Sequence, residues 1–182
     1  MRIADCDIIL LPGLDNAPEG HWQRRWAERF PSARIVIGSE SASPDPDAWR
    51  ARVIAAIQQA DKPVVVVAHD LGVSVLVQTA PDLLVGKVRG ALLVAPIDHE
   101  AADCPPEALS FGAVPRDPLP FMSLLVAATD DPHLSPERAA DLAGAWGAEL
   151  HLAGSAGRIN LHSGHGPWPE GLLMFTRLMH RI

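Results

Sequence analysis

The segment Pro63-Val64-Val65-Val66-Val67-Ala68 is apolar throughout, and His69-Asp70-Leu71-Gly72-Val73 follows it without a spacer. Four successive valines fit a strand, because a β-branched side chain packs well on a pleated surface. A strand with no polar alternation is covered on both faces, which is the habit of parallel sheets. Beyond it, Leu71-Gly72-Val73-Ser74-Val75-Leu76 opens a helical stretch, so the chain has to reverse within a very short turn. Small residues at Ala68 and Gly72 suit such a turn, where backbone and helix approach closely. Few folds accommodate a buried strand, a sharp turn and a helix in direct succession.

The rest of the chain repeats the alternation. Strands are predicted at Asp7–Leu11, Ala33–Ile37, Pro63–Ala68, Val88–Val94, Ser123–Ala128 and Glu149–Leu152. Helices fill the gaps at His21–Phe30, Asp47–Ala60, Leu71–Ala80, Ser135–Trp146 and Pro169–Arg181. Asp47, just after Pro46, is the expected cap of the second helix, and Ser135-Pro136 opens the fourth. This pattern predicts an α/β fold of three layers, with about six mostly parallel strands between helices. The longest irregular stretch, 95–121, is rich in Pro and Asp and is expected to wrap over the carboxyl edge of the sheet, where open α/β folds bind ligands. There is no room for an inserted cap domain.

At 182 residues the chain matches one domain, 1–182, and its 48% hydrophobic content supports a real core. No run approaches the roughly 18 apolar residues that cross a bilayer. The start, Met1-Arg2-Ile3-Ala4-Asp5-Cys6-Asp7, has early acids and no apolar core, so a cytoplasmic protein is expected. Cys6 and Cys104 form no CxxC pair, which argues against a disulfide framework. A formal net charge of −7 argues against nucleic acid as a partner. Membrane and nucleic-acid roles are therefore not expected, and neither is a cofactor.

Ala68-His69-Asp70-Leu71-Gly72 occupies the setting of the nucleophile elbow of α/β hydrolases, G-x-S-x-G, with Asp in the middle. Further blocks appear in order. They are Leu11-Pro12-Gly13-Leu14-Asp15-Asn16, His21-Trp22-Gln23-Arg24-Arg25-Trp26, Leu93-Val94-Ala95-Pro96, Val114–Phe121, Asp130-Asp131-Pro132, Gly157-Arg158-Ile159-Asn160 and Ser163–Gly171. Over nearly its full length the chain resembles the small serine-hydrolase family that includes retinoblastoma-binding protein nine. That resemblance implies a capless α/β-hydrolase fold in which the elbow carries Ser, the Asp-Pro block the acid, and a Gly-His-Ile-Asn segment the His. Carried over by position, Asp131 keeps the acid's place, Asp70 stands where the Ser would be, and Arg158 where the His would be. The L-x-C-x-E motif associated with the retinoblastoma-binding member is not matched at Asp103-Cys104-Pro105-Pro106-Glu107.

A hydroxyl nucleophile needs an adjacent base, so serine chemistry at the elbow does not transfer. His69-Asp70-Leu71-Gly72 also resembles the His-Asp-Trp-Gly elbow of haloalkane dehalogenases and epoxide hydrolases, whose nucleophile is Asp. Those enzymes need a His to activate water, whereas Arg158 stays protonated. The chain also has no Tyr to grip an epoxide oxygen and Leu71 in place of the halide-binding Trp. If the family geometry holds, Arg158 lies between Asp70 and Asp131 and compensates two neighbouring carboxylates. His162 and His165 are candidates for a relocated base. A metal site built from them with Asp70 and Asp131 has weak spacing, and no metal is expected. The amides of Leu14 and Leu71 would form an oxyanion hole, and Trp22 is expected to form a pocket wall. Ser74, one helical turn past Asp70, is expected to be a packing residue.

The function expected is action on a small molecule, an anionic one among the candidates, through a reassigned centre of Asp70, Asp131 and Arg158. Two alternatives stand beside it. One is an inactive relative that binds a metabolite or protein; the other is an Asp-nucleophile hydrolase using His162 or His165.

Overall fold

The computed structural model describes residues 1–37 and 45–182. Its sheet has six strands: β1 (Asp7–Leu11), β2 (Ala33–Ile35), β3 (Val64–His69), β4 (Val88–Val94), β5 (Met122–Ala127) and β6 (Glu149–Leu152). All neighbours run parallel, in the order β2-β1-β3-β4-β5-β6. Helices α1 (Trp22–Arg29), α2 (Pro46–Gln58), α3 (Leu71–Thr79), α5 (Pro136–Trp146) and α6 (Pro169–Arg181) connect or follow the strands, and α4 (Pro106–Leu109) is one turn inside the long loop after β4. The expected strands and long helices are all present, with ends displaced by one or two residues. Asp45, rather than Asp47, caps α2, accepting from the amides of Asp47 and Ala48 with Pro46 at the first helical position.

Strand side chains alternate between two cores, as a period of two requires. Ile9, Leu11, Val64, Val66 and Ala68 pack with α2, α3 and α5, around Trp49, Leu71 and Trp146. Ile8, Leu10, Val65 and Val67 face α1 and α6, around Trp22, Trp26 and Phe175. The four valines of β3 are all fully buried. Each contributes about 1.5–3 kcal/mol by burial alone, so the strand that presents Asp70 is firmly anchored.

Strand order reverses at β1, since β2 lies to one side of it and β3 to the other. In open α/β sheets the crevice at such a reversal, at the carboxyl ends of the strands, is where ligands bind. Asp70 follows β3 and Gly13 follows β1, so both flank that crevice. Gly72 explains how α3 can start so abruptly. A Cβ there would lie 2.5 Å from the carbonyl oxygens of both Leu11 and Pro12, which only glycine avoids. Among the described residues no helix is long and apolar enough to cross a membrane.

Gly72→Ala should therefore overpack the β1–α3 contact and cost about 1–3 kcal/mol. Gly144→Ala, at an exposed site in α5 with open space around the missing Cβ, should instead stabilise by about 0.5–1 kcal/mol. Urea unfolding of the two variants beside the parent chain reads both shifts.

Candidate active site

Asp70 caps α3 with φ 54° and ψ −127°, a backbone conformation that a residue with a side chain rarely adopts. The other non-glycine residues with positive φ are Asn16, Ala17, Ala95 and Ile159, so all five described cases lie in loops that follow β1, β3, β4 and β6. Strain of this kind persists only where the surroundings enforce it, and it gathers at functional sites. Here the enforcing contacts are visible. The Asp70 amide donates to Val94 O at 3.0 Å, and its side chain rests on Gly13, where a Cβ would lie 2.3 Å from Oδ2.

Arg158 reaches the same place from the loop after β6. One terminal nitrogen donates to Asp131 Oδ1 and Oδ2 at 3.0 and 2.9 Å and to Pro96 O at 3.2 Å. The other donates to Asp70 Oδ1 and, at 2.9 Å, to Ala95 O. The left-handed Ala95 is what turns its carbonyl towards the guanidinium. Side-chain exposure is 11% for Arg158, 18% for Asp70 and 0% for Asp131, so Asp70 is the open end of the triad. Burial works to raise the Asp70 pKa. The Arg158 guanidinium, with help from the Leu71 amide, overcomes it and holds the carboxyl below its ordinary range. Burial likewise works against the Arg158 charge, and the two carboxylates more than restore it.

The loop carrying Arg158 is tightly fixed. Gly157 N donates to Asp130 Oδ1 at 2.8 Å, and Trp22 Nε1 donates to Ile159 O at 2.8 Å. His69 Nε2 lies 2.8 Å from Arg158 O, a contact in which the ring must donate. His21 Nδ1 accepts from the Gln23 amide, so its proton sits on Nε2. The rings of His21 and His69 are 5.2 Å apart, and their remaining atoms, an Nε2–H donor and an Nδ1 acceptor, are complementary. Burial lowers the pKa of both, that of His21 to about 3. Two neutral imidazoles thus brace the backbone beneath the guanidinium.

Several expected sites lie elsewhere or are already engaged. Trp22 is fully buried among Trp26, Trp168 and His69, so it supports the Arg158 loop from the core and is no pocket wall. His162 is exposed in a one-turn 3-10 helix, and His165 bonds Ser163 at 3.2 Å while lining a cavity with His151, Glu170 and Met174. Neither hydrogen-bonds the Asp70 carboxylate. The Asp70 side chain accepts no capping hydrogen bond from the start of α3, and the nearby Leu71 amide, the expected oxyanion donor, helps to keep the carboxylate ionised. Leu14 packs its half-buried side chain against the α2–α3 core. Among the described residues no cluster of three or more His, Cys, Asp or Glu side chains is arranged for a metal ion. Ser74 does more than pack: its Oγ lies 2.7 Å from His99 Nε2. His99 was not foreseen, and the only signal for it is a histidine in the loop that follows the strand next to β3.

The buried imidazoles fix the sign of one pH effect. Unfolded, His21 takes up a proton near its ordinary 6.5, whereas in the fold it resists protonation until about 3. Its contribution is complete above 6.5 and is lost as pH falls towards 3, and depression of the Asp70 pKa acts in the same direction in stronger acid. Melting temperature should drop between pH 6.5 and 4.5. His21→Asn, which keeps an N-cap acceptor, should flatten that drop in a pH series of thermal melts.

The serine hydrolase family model matches residues 8–177. Among solved structures, a protein described as a YdeN-like hydrolase from Pectobacterium atrosepticum is 28% identical, with a TM-score of 0.83 over 96% of this chain and 91% of that one. The ydeN gene product of B. subtilis is 17% identical, with a TM-score of 0.75 over 96% and 98% of the two chains. N-formylmaleamic acid deformylase from Pseudomonas putida S16 is 16% identical, with a TM-score of 0.68 over 92% and 90%. The last two likenesses concern the fold alone. Among curated proteins, none is similar enough to match. A parallel sheet with an elbow after its third strand and a family match running almost end to end lead to one assignment: the chain has the α/β-hydrolase fold and belongs to the serine hydrolase family.

Proposed function

We propose that this protein acts on a small molecule at the crevice beside Asp70 by a mechanism that uses no elbow serine. Asp70 stands where the family's nucleophile would be and Arg158 where its histidine would be, with Asp131 keeping the position of the acid. The observation that carries this reading is the guanidinium held between the two carboxylates. A permanently protonated group in the base's place takes no proton, and a carboxylate with a lowered pKa is a weak base but an ionised one. The chemistry left to Asp70 is to attract, orient or attack through an oxygen.

The charge balance narrows the substrate. Both terminal nitrogens of Arg158 are occupied by carboxylates and carbonyls, which leaves little of it for an incoming anion. Two carboxylates around one guanidinium carry net negative charge, and Asp70 is the more exposed end. A cationic or hydrogen-bond-donating group on the substrate fits better than an anionic one.

A second reading, a binding protein without turnover, is favoured by the placement of His162 and His165. An aspartyl ester formed at Asp70 would meet no imidazole able to activate water, so the adduct would persist. The Asp-nucleophile hydrolase with either histidine as base loses support for the same reason.

The screen that separates these readings uses neutral and cationic esters, haloacids and enolisable acids. Turnover is expected with at least one class other than activated esters and should vanish in Asp70→Asn, whose melting curve checks that it folds. If no class turns over while a compound still raises the melting temperature of the parent protein, the binding reading replaces the catalytic one. Asp70→Ser combined with Arg158→His should create fluorophosphonate labelling at position 70, since Asp131 is already in place. Absence of labelling there in the folded double variant would sink the positional assignment.

A further inference from the structure

A second polar pair lies one turn along the same helix. Ser74 is the fourth residue of α3, one turn beyond Asp70. A buried helical serine commonly turns its hydroxyl back to a carbonyl of the preceding turn. Ser74 instead meets His99 Nε2 at 2.7 Å, and both side chains line a cavity of about 270 Å³. The cavity continues over Ile97, Leu109, Val114 and Trp146, an apolar floor with the charged side chains of Asp98, Glu100, Arg116 and Arg138 around it, and its volume is at the small end of ligand sites. Burial keeps the His99 ring neutral against the pull of the Gly112 carbonyl and of the Asp98 and Asp70 carboxylates. The ring's Nδ1 is buried without a hydrogen-bond partner, so no third group fixes the tautomer; in the one with its proton on Nδ1, Nε2 accepts from the Ser74 hydroxyl. That is the arrangement of a nucleophile with its base.

We propose that Ser74 and His99 form an acyl-accepting site, separate from Asp70 and independent of the reading given to it, for small activated esters or thioesters with short apolar acyl groups. Ser74 Oγ attacks the acyl carbonyl carbon as its proton passes to His99 Nε2. The bond to the alcohol or thiol breaks, the leaving group takes that proton, and the acyl group remains on Ser74. Water then attacks the acyl carbon, giving its proton to His99, and Ser74 recovers a proton as the carboxylic acid departs. Because Ser74 lies within α3 rather than at its start, this centre lacks the amide cradle of an elbow. Its substrates are therefore acyl donors with good leaving groups. The apolar lining takes the acyl chain, and the cavity volume keeps that chain short.

The test uses the full chain with p-nitrophenyl butyrate, following nitrophenolate release and then mapping the butyryl group by peptide mass spectrometry. A burst followed by slow turnover is expected, with the acyl group on Ser74. Ser74→Ala should abolish the burst. His99→Gln, which can still hydrogen-bond Ser74 but takes no proton, should slow it by about 100-fold. Mapping on the parent protein locates the acyl group without relying on any variant to fold. A parent chain that stays unacylated, an acyl group found on another residue, or a burst that survives in Ser74→Ala overturns the proposal.

Discussion

One guanidinium, held between two carboxylates and two strand-end carbonyls, ties together the loops that follow four strands of the sheet. Arg158 joins Asp70 after β3, Ala95 and Pro96 after β4, and Asp131 after β5, while its own loop follows β6. A planar fork with several fixed donors can satisfy such a set, which a lysine could not. Removing one member of a buried ion group leaves the others uncompensated, at a cost of about 3–5 kcal/mol. The strained backbones at Asp70, Ala95 and Ile159 belong to the same knot, because each is bent to present an atom to it or to carry it.

That knot also shapes the chemistry. A serine elbow works by keeping its amides free for a developing oxyanion and its histidine free to shuttle a proton. Here a carboxylate stands at the elbow, and Arg158, paired with it and with Asp131, gives up no proton. The guanidinium offsets part of the cost of burying two carboxylates side by side. Membership in the serine hydrolase family therefore describes the framework more securely than the reaction.

The framework itself comes from close approach. Gly72 lets α3 start against the Leu11 and Pro12 carbonyls, and Gly13 leaves space for the Asp70 side chain. Beneath them, the neutral histidines His21 and His69 hold the Arg158 backbone from the aromatic side of the sheet. Ser74 and His99 lie on the other side of the elbow, over the core shared by α2, α3 and α5, so helix α3 presents polar groups both at its start and one turn along.

The strands, the long helices and the sharp turn at Asp70 were legible in the residues, because valine runs, capping residues and glycine punctuation act over short distances. The blocks around Asp70, Asp131 and Arg158 were legible too, as were their charges. Local sequence could not say that Trp22 belongs to the core or that His162 and His165 stand apart from Asp70. Nor could it show Ser74 meeting His99. Each of those depends on where loops far apart in the chain come to rest, and that is set by packing across the sheet and by the demand that buried polar atoms find partners. Sequence determined the elements and the charges at the elbow; only the tertiary structure decided which groups those charges face.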